Sequence, residues 1–265
     1  TAKGTNLMNI LPLLPEEKIT AALPVMNFDD AEYLIMVTCN GRIKRVDLKE
    51  FSNVRPSGLI AITLDEGDQL NWVKLTHGDQ DIIIVSEQGR GIRFSEEDVR
   101  PMGRAAAGVR AMVLDDWDRI AGADVVTPGD DVLVITEKGY GKRTPLDEYR
   151  QQGRYGQGVR AMILSPERTG KIVSARVVTT GDEVTCISTN GIILRTEADT
   201  ISQQSRLTQG VRVMDLRPGN TVASVAVVRE GMLSRANGRE DGHEENGDGV
   251  GETAVSPSNA PNPAV

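Results

Sequence analysis

The chain repeats two short elements about every 50 residues. The first starts with glycine and continues through apolar residues, and its three later copies carry an arginine at the third position. Its copies are residues 58–64, 108–114, 158–164 and 210–216, with a looser copy starting at Gly4. The second is a turn ending in glycine, followed by a short run that ends in arginine. Its copies are residues 40–45, 88–93, 138–143 and 190–195. The turn glycines are separated by 48, 50 and 52 residues. Two elements that keep one period predict a modular array.

Each period is predicted to contain four short strands. The Gly element is the first, and an apolar β-branched run such as residues 120–126 is the second. The third is a run such as residues 132–136, and the turn glycine leads into the fourth. Asn-Gly between apolar runs is a strong hairpin signal. Many short Val- and Ile-rich runs predict an all-β fold, with single helical turns expected at 96–99 and 146–150.

Four strands per tandem unit favour a propeller-like array of four-stranded blades over a sandwich. The predicted repeat domain covers residues 1–230, with units at about 1–50, 51–100, 101–150, 151–202 and a partial unit at 203–230. The array is therefore expected to be incomplete, with about four full blades and a partial one. Residues 211–228 are expected to lack their own hairpin. Their sheet edge would be exposed, or closed by residues 6–25, and exposed edges promote association.

Composition excludes several other classes of protein. The chain has 265 residues, a net charge of −8, two cysteines and two histidines. Cysteines and histidines this few and this dispersed give neither a disulfide framework nor zinc spacing. No apolar run is long enough to span a membrane, and the start lacks a signal-peptide layout. Residues 231–265 hold two arginines against six acidic residues and are predicted to be a disordered acidic tail.

The two elements, in this order, resemble the C-terminal domain of the DNA gyrase A subunit. The resemblance is closest at residues 138–144, 6–13 and 19–25, and it spans nearly all of residues 1–230. It implies a six-bladed β-pinwheel, a propeller-like disc in which neighbouring blades exchange strands. It also implies a basic outer rim that wraps duplex DNA without sequence specificity. Four Gly-turn hairpins replace the family's six, and the signature Gln-Arg-Arg-Gly-Gly-Lys-Gly does not occur. The expected protein is therefore an N-terminally truncated version of that domain.

The resemblance implies partners and limits as well. The domain would support negative supercoiling as part of an ATP- and Mg-dependent type IIA topoisomerase, with the rest of the gyrase A subunit and the B subunit in an A2B2 heterotetramer. The chain itself is expected to be non-catalytic, because no acid–base or nucleophilic set recurs, and to hold no cofactor or metal. A cytoplasmic protein without membrane contact is expected. Two alternatives stay open: the corresponding domain of the topoisomerase IV A subunit, and a propeller used for protein–protein interaction.

Wrapping of DNA without sequence readout requires cations that meet phosphates at regular intervals. The segment before each Gly element supplies arginines once per unit, and the hairpins supply a second basic set. The predicted DNA-binding residues are Arg55, Arg100, Arg104, Arg150, Arg154 and Arg206 from the loops, and Lys44, Arg90 and Lys142 from the hairpins. The alternative is that these are exposed loops in which arginine is merely tolerated. Two other recurrent sets are left open between structure and DNA contact: Arg45, Arg93, Arg143 and Arg195, and Arg110, Arg160 and Arg212.

Overall fold

The computed structural model describes residues 13, 17–29, 32–53, 55 and 58–229. In these residues the regular structure is β-strand with short 3₁₀ turns, so the predicted all-β class is confirmed. The strands are β1 (Tyr33–Thr38), β2 (Arg42–Asp47), β3 (Leu70–Thr76), β4 (Asp81–Ser86), β5 (Arg90–Ser95), β6 (Val109–Arg110), β7 (Ile120–Val125), β8 (Asp131–Thr136), β9 (Tyr140–Pro145), β10 (Val159–Arg160), β11 (Ile172–Val178), β12 (Glu183–Ser188), β13 (Ile193–Glu197), β14 (Val211–Arg212) and β15 (Val222–Val228). The predicted acidic tail and residues 6–12 lie outside the described part of the chain.

The strands form four sheets, which we name blades 1 to 4. Blade 1 has the order β3-β1-β2-β6, blade 2 β10-β5-β4-β7, blade 3 β11-β8-β9-β14 and blade 4 β13-β12-β15. Each blade is built on one Gly-turn hairpin, and all ladders within the blades are antiparallel. The propeller-like arrangement of four blades expected from the repeat is therefore present.

Neighbouring blades exchange strands. The strands of residues 101–150 are distributed over three blades: β6 joins blade 1, β7 joins blade 2, and β8 with β9 forms the hairpin of blade 3. Blades therefore do not coincide with tandem sequence units. In blades 1 to 3 the hairpin receives its last strand only from chain that follows the next hairpin.

The core lies between successive blades. The hairpin strands β1, β4 and β8 are buried on both faces, which explains their continuous apolar runs. Three apolar clusters fill the spaces between blades 1 and 2, 2 and 3, and 3 and 4. Each turn glycine has a positive φ, near 80°, a conformation that glycine adopts without steric penalty. Each period of the sequence therefore supplies one hairpin, and successive hairpins pack on one another and exchange strands.

The arginine that ends each hairpin makes a structural ion pair. Arg93 Nε lies 2.8 Å from Asp81 Oδ2, and Arg143 Nη1 lies 2.6 Å from Asp131 Oδ2, in each case across the hairpin. Arg195 pairs with Glu183 in the same way. This geometry favours the structural alternative for the set Arg45, Arg93, Arg143 and Arg195.

The expected edge at residues 211–228 is divided between two blades. Strand β14 pairs with β9 in blade 3 and β15 pairs with β12 in blade 4, and each lies at the edge of its sheet. Among the described residues, the hairpin of blade 4 gains no exchanged strand, so β13 is an edge strand as well. Residues 17–25 form no strand, and Leu23 and Val25 pack on the apolar cluster of blade 1.

Candidate nucleic-acid interface

Three connectors carry the chain from one hairpin to the preceding blade; they are residues 100–110, 150–160 and 202–212. Each makes a parallel bridge to the hairpin arginine of that preceding blade: Pro101 to Arg45, Gln151 to Arg93 and Gln203 to Arg143. The next residue donates its N–H to the same arginine's carbonyl, at 2.8 Å in all three cases. The loops that the sequence singled out are thus the strand-exchange segments of the fold.

Each connector has a glycine just before its short strand. At this glycine the backbone of the connector comes very close to the backbone of the hairpin. Gly158 has φ +69°, and a Cβ atom there would lie 2.5 Å from Gly91 O. Gly108 and Gly210 are in the same situation against Ile43 O and Gly141 O, also at 2.5 Å. No other L-residue fits this position without displacing the hairpin, so these glycines fix where the following strand docks.

Strand exchange places arginines directly opposite one another. In blade 1 the register pairs Arg42 with Arg110, and in blade 2 it pairs Arg90 with Arg160. Like charges opposite one another in a sheet are destabilising. The repeated arrangement concentrates positive charge at the start of the second hairpin strand in blades 1 and 2.

In blade 3 a tyrosine stands where the hairpins of blades 1 and 2 have an arginine. Tyr140 is paired with Arg212, whose guanidinium lies 5.7 Å from the ring centre, and Arg168 lies 5.2 Å from the same ring. Hydrogen bonding to Arg212, and then to Arg168, lowers the pKa of the Tyr140 hydroxyl. These groups, with Lys138 and Arg217, line a cleft of about 470 Å³.

The connector arginines join these pairs from one blade to the next. Arg154 Nη1 donates to the carbonyl of Arg110 at 2.5 Å, and Arg206 Nη1 donates to the carbonyl of Arg160 at 2.9 Å. We call the resulting groups the arginine clusters. They comprise Arg42, Arg110 and Arg154 in cluster 1; Arg90, Arg160 and Arg206 in cluster 2; and Tyr140, Arg168 and Arg212 in cluster 3.

Carboxylates balance the three clusters unequally. Arg42 Nε lies 2.5 Å from Asp65 Oδ2 in cluster 1, and Arg212 Nη1 lies 2.8 Å from Asp215 Oδ1 in cluster 3. In cluster 2, the side chains of Arg90 and Arg160 are exposed and make neither a hydrogen bond nor an ion pair with any described residue. Arg206 Nε of the same cluster lies 3.8 Å from Glu148 Oε2, so the uncompensated charge of cluster 2 is that of Arg90 and Arg160.

The predicted loop arginines divide into two groups. Arg104, Arg154 and Arg206 are half-buried, and their backbone N–H groups bond to acids of the preceding blade: Glu50, Asp98 and Glu148. Arg55, Arg100 and Arg150 are exposed. Arg100 follows β5 and a 3₁₀ turn, at the opposite end of that strand from Arg90. The structure thus brings Arg154, Arg206 and Arg90 into the clusters and leaves Arg100 and Arg150 away from them.

Lys44 and Lys142 are buried, so we withdraw them from the set of candidate DNA contacts. Lys142 Nζ donates to Ser205 O at 2.6 Å and Arg206 O at 2.7 Å, and Lys44 Nζ donates to Ala61 O at 2.7 Å and to Arg104 O. Burial lowers the pKa of Lys142 to about 8 and lowers that of Lys44. Both lysines hold a connector to its hairpin from inside.

Sequence reasoning placed Arg42 among the basic residues of the hairpins without choosing it as a DNA contact, and it missed Tyr140 and Arg168. Arg42 and Tyr140 open the hairpin's second strand, and only the register with an exchanged strand shows what faces them. The repeated arginine of the Gly element was visible in the sequence, but its partner was not.

Comparisons with known proteins agree with this fold. The profile of the family described as "DNA gyrase C-terminal domain, beta-propeller" matches residues 32–77, 80–127, 130–179 and 182–229. The DNA gyrase A subunit of Halalkalibacterium halodurans is 53% identical over 228 residues, and that of Clostridium acetobutylicum is 46% identical over 229. Each alignment covers 86% of this chain but only 27% and 28% of those relatives.

Two solved structures are similar in fold. The crystal structure of the C-terminal domain of DNA topoisomerase IV aligns with a TM-score of 0.81 and 27% identity, covering 89% of this chain and 76% of that one. The structure of the DNA gyrase A C-terminal domain aligns with a TM-score of 0.77 and 27% identity, covering 85% and 75%.

The chain is therefore a β-propeller of the type II topoisomerase C-terminal class. It belongs to the DNA gyrase C-terminal domain family. It spans a little over a quarter of the length of the gyrase A subunits it matches.

Two searches for other kinds of site gave negative results. Among the described residues, no helix is long and apolar enough to cross a membrane. Over the same part of the chain, no group of three or more His, Cys, Asp or Glu side chains is placed to hold a metal ion.

Proposed function

We propose that this chain binds and wraps duplex DNA, without reading its sequence, along the row of arginine clusters. The observation that carries the proposal is the pair Arg90 and Arg160, which face each other across the sheet with no carboxylate partner among the described residues. A phosphate placed between two guanidiniums removes their mutual repulsion and gains charge-assisted hydrogen bonds. The clusters recur on blades 1 to 3, so a duplex bent along them meets cations at regular intervals.

Affinity on such a surface comes from phosphate contacts. Neutralising phosphates with arginine releases condensed counterions, and binding then weakens steeply as salt rises. The net charge of −8 does not oppose this, since local charge steers a ligand more strongly than the total. The glycine-rich connectors let the backbone approach the duplex closely, next to the arginines.

The wider setting is part of the same proposal. We propose that the domain acts within a gyrase A subunit, together with the B subunit in an A2B2 assembly in the cytoplasm, and supports negative supercoiling. The matched relatives, which are DNA gyrase A subunits, support this setting. ATP and Mg would act elsewhere in that assembly, and wrapping by this chain would need neither.

The test is a binding titration on long duplex DNA with arginine-to-glutamine variants. We expect Arg90→Gln with Arg160→Gln to weaken binding at least about tenfold at moderate salt, since two phosphate contacts are lost. The matched control is Lys49→Gln with Arg195→Gln, which removes the same charge from exposed side chains that pair with acids outside the clusters. Equal loss in both double variants would show that only net charge matters and would overturn the assignment of the site.

A second candidate is the C-terminal domain of a topoisomerase IV A subunit, which the similarity to that solved structure favours. The two candidate functions differ in whether the bound DNA is wrapped around the domain. DNA closed by ligase while bound to a wrapping domain retains constrained writhe, whereas DNA bound without wrapping retains none. Constrained writhe in the closed circles supports the gyrase-type function, and tight binding without it supports the alternative.

A further inference from the structure

The cleft of about 470 Å³ beside cluster 3, which we call the blade 3 cleft, is lined mainly by cations. They come from three segments of the chain: the turn of the blade 3 hairpin, the loop after β10, and β14 with the loop that follows it. The charged residues are Lys138, Arg168, Arg212 and Arg217 against Glu167 and Asp215. Positive charge from three segments thus converges on a volume in the range of ligand clefts.

Lys138 and Arg168 have donors left for an anion. Lys138 Nζ donates to Pro166 O at 2.6 Å and to Glu167 O at 2.7 Å, which uses two of its three N–H groups. Arg168 Nη1 donates to the amide oxygen Oε1 of Gln209 at 3.1 Å. Neither cation forms an ion pair with a carboxylate in the described part of the chain, so the charge of both is uncompensated there.

Arg217 and Tyr140 add further donors. Arg217 is exposed, and its side chain makes no hydrogen bond or ion pair with a described residue. The hydroxyl of Tyr140 accepts a hydrogen bond from Arg212 Nη2 at 3.5 Å, and its own O–H can donate to a ligand. Hydrogen bonding to Arg212 lowers the pKa of this hydroxyl, which makes it a stronger donor. Within the described residues, the ion pair of this cleft is that of Arg212 with Asp215, whose side chain is 85% exposed.

The corresponding cleft of blade 1 has a different charge. It measures about 290 Å³ and lies at the same place in the repeat, where an exchanged strand meets the start of the hairpin's second strand. It has three arginines but also four aspartates, at positions 65, 115, 116 and 118. In the aligned repeats, Asp115 stands where blade 3 has Arg217, and Asn40 stands where blade 3 has Lys138. The fold alone therefore does not impose a cationic cleft; the residues of blade 3 make it so.

The chemistry of the blade 3 cleft favours a chain of phosphates. A DNA duplex is too wide to enter a cleft of this volume and would meet only its rim. The ring of Tyr140 is already engaged by two guanidiniums, 5.2 and 5.7 Å from its centre, so the cleft offers charge and hydrogen-bond donors in the first place. Guanidiniums and an ammonium that converge from several directions match the oxygens of a linear polyphosphate.

We propose that the blade 3 cleft binds a linear polyphosphate, either inorganic or as the triphosphate of a nucleotide. Its arginines and lysine donate charge-assisted hydrogen bonds to the phosphate oxygens, and the Tyr140 hydroxyl adds another. One consequence rests on the proposed function. Because Arg168 and Arg212 belong to cluster 3, the bound polyphosphate competes with duplex DNA for that cluster and shortens the length of DNA that the chain holds.

The cleft is tested without DNA, by calorimetric titration of the full chain with tripolyphosphate in metal-free buffer of fixed ionic strength. We expect one-to-one binding that Arg168→Gln with Arg217→Gln weakens at least about tenfold, since two charge-assisted contacts are lost. The matched control is Lys49→Gln with Arg195→Gln, which should bind as wild type does. Absence of binding, or equal weakening in both double variants, would overturn the proposal. Circular dichroism checks that each variant is folded.

Titrations with ATP and AMP distinguish the sources of the phosphate chain. Equal affinities for ATP and tripolyphosphate assign the cleft to the phosphate chain alone, and tighter binding of ATP assigns it to a nucleotide. AMP should bind at least about tenfold more weakly than ATP, because its single phosphate reaches fewer of the donors. AMP binding as tightly as ATP would contradict a polyphosphate ligand.

Competition is tested by repeating the DNA titration with added tripolyphosphate at fixed ionic strength. The DNA affinity of wild type should fall and then level off at a value set by clusters 1 and 2. The affinity of Arg168→Gln with Arg217→Gln should not respond. The same fall in that variant, or a fall without a plateau, would reduce the effect to screening and overturn the competition. Binding of tripolyphosphate by a chain that fails to bind DNA would support the cleft and refute the proposed function, so the two failures are distinguishable.

Discussion

At the scale of single residues, a few positions of the repeat need one particular residue type for the connector to dock on its hairpin. Gly158 allows the backbones of a connector and a hairpin to touch, and Lys142 ties a connector to its hairpin from inside the fold. Both positions recur along the chain, and neither needs a ligand to explain it. The cationic row is thus supported by residues that do not face the ligand themselves.

Gly158→Ala should destabilise the protein by about 2–4 kcal/mol, because it combines a positive φ with a backbone clash. Urea denaturation followed by the fluorescence of buried Trp72 measures the change. Gly153→Ala in the same connector is the matched control. A Cβ there meets nothing within 4 Å, so its cost should stay within about 0.5 kcal/mol. Equal costs for the two variants would contradict the close-approach explanation.

Lys142 should give stability an unusual dependence on pH. Its pKa falls from 10.5 to about 8 on burial, so between these values the unfolded chain holds a proton that the folded chain has lost. The folded state therefore gains stability as pH rises through this window. Relative to Lys142→Met, the free energy of unfolding of wild type should rise by about 2 kcal/mol between pH 7.5 and pH 10. A difference that does not vary with pH would show that the lysine is not titrating in this range.

At the scale of the structural element, the exchanged strand brings the repeated arginine of the Gly element next to the basic residue of a hairpin. Strands β6, β10 and β14 are two residues long, yet each places an arginine opposite the start of a hairpin strand. We expect the pairing of Arg90 with Arg160 to cost stability in the free protein, a cost that a phosphate between the two side chains would offset.

Arg160→Thr should therefore raise stability while weakening DNA binding. Removing one of two facing arginines relieves repulsion of about 0.2–1 kcal/mol, and threonine suits a strand. Denaturation at low and at high salt measures this, and the gain should shrink as salt screens the charges. Lower stability of the variant at low salt would mean that Arg160 has a structural role in the free protein.

The sequence predicted the hairpins well, because their apolar runs and Asn-Gly or Lys-Gly turns are local signals. It predicted the connectors as the basic loops for the same reason. It could not show that residues 109–110 pair with 42–43, since that contact crosses an entire intervening hairpin. For this reason Lys44 and Arg90 looked equivalent in the sequence, although one is buried on two carbonyls and the other is exposed.

At the scale of the whole molecule, the proposed function requires the three clusters to act together along one duplex. Three sets of cations on successive blades bind a long polyanion more tightly than any one set alone, because the second and third contacts are intramolecular. Binding should thus grow with DNA length until the duplex reaches all three clusters.

The number of phosphate contacts can be obtained from the salt dependence of the binding affinity. A plot of log affinity against log salt for long duplex DNA should be linear and steep, with a slope of about −0.9 per phosphate neutralised. The Arg90→Gln, Arg160→Gln variant should have a slope shallower by about 2, whereas Lys49→Gln, Arg195→Gln should keep the wild-type slope. Identical slopes for both double variants would place the duplex on another face.

Strand exchange also sets the order in which this protein can be completed during its synthesis. The hairpin edge at Arg42 is covered only when the segment at Gly108, 66 positions further along the chain, has been synthesised. At translation rates of about 5–20 residues per second, that edge stays open for roughly 3 to 13 seconds on the ribosome. Blades 2 and 3 pass through a similar interval before β10 and β14 are made, and during it their hairpin edges are open to pairing with a neighbouring nascent chain.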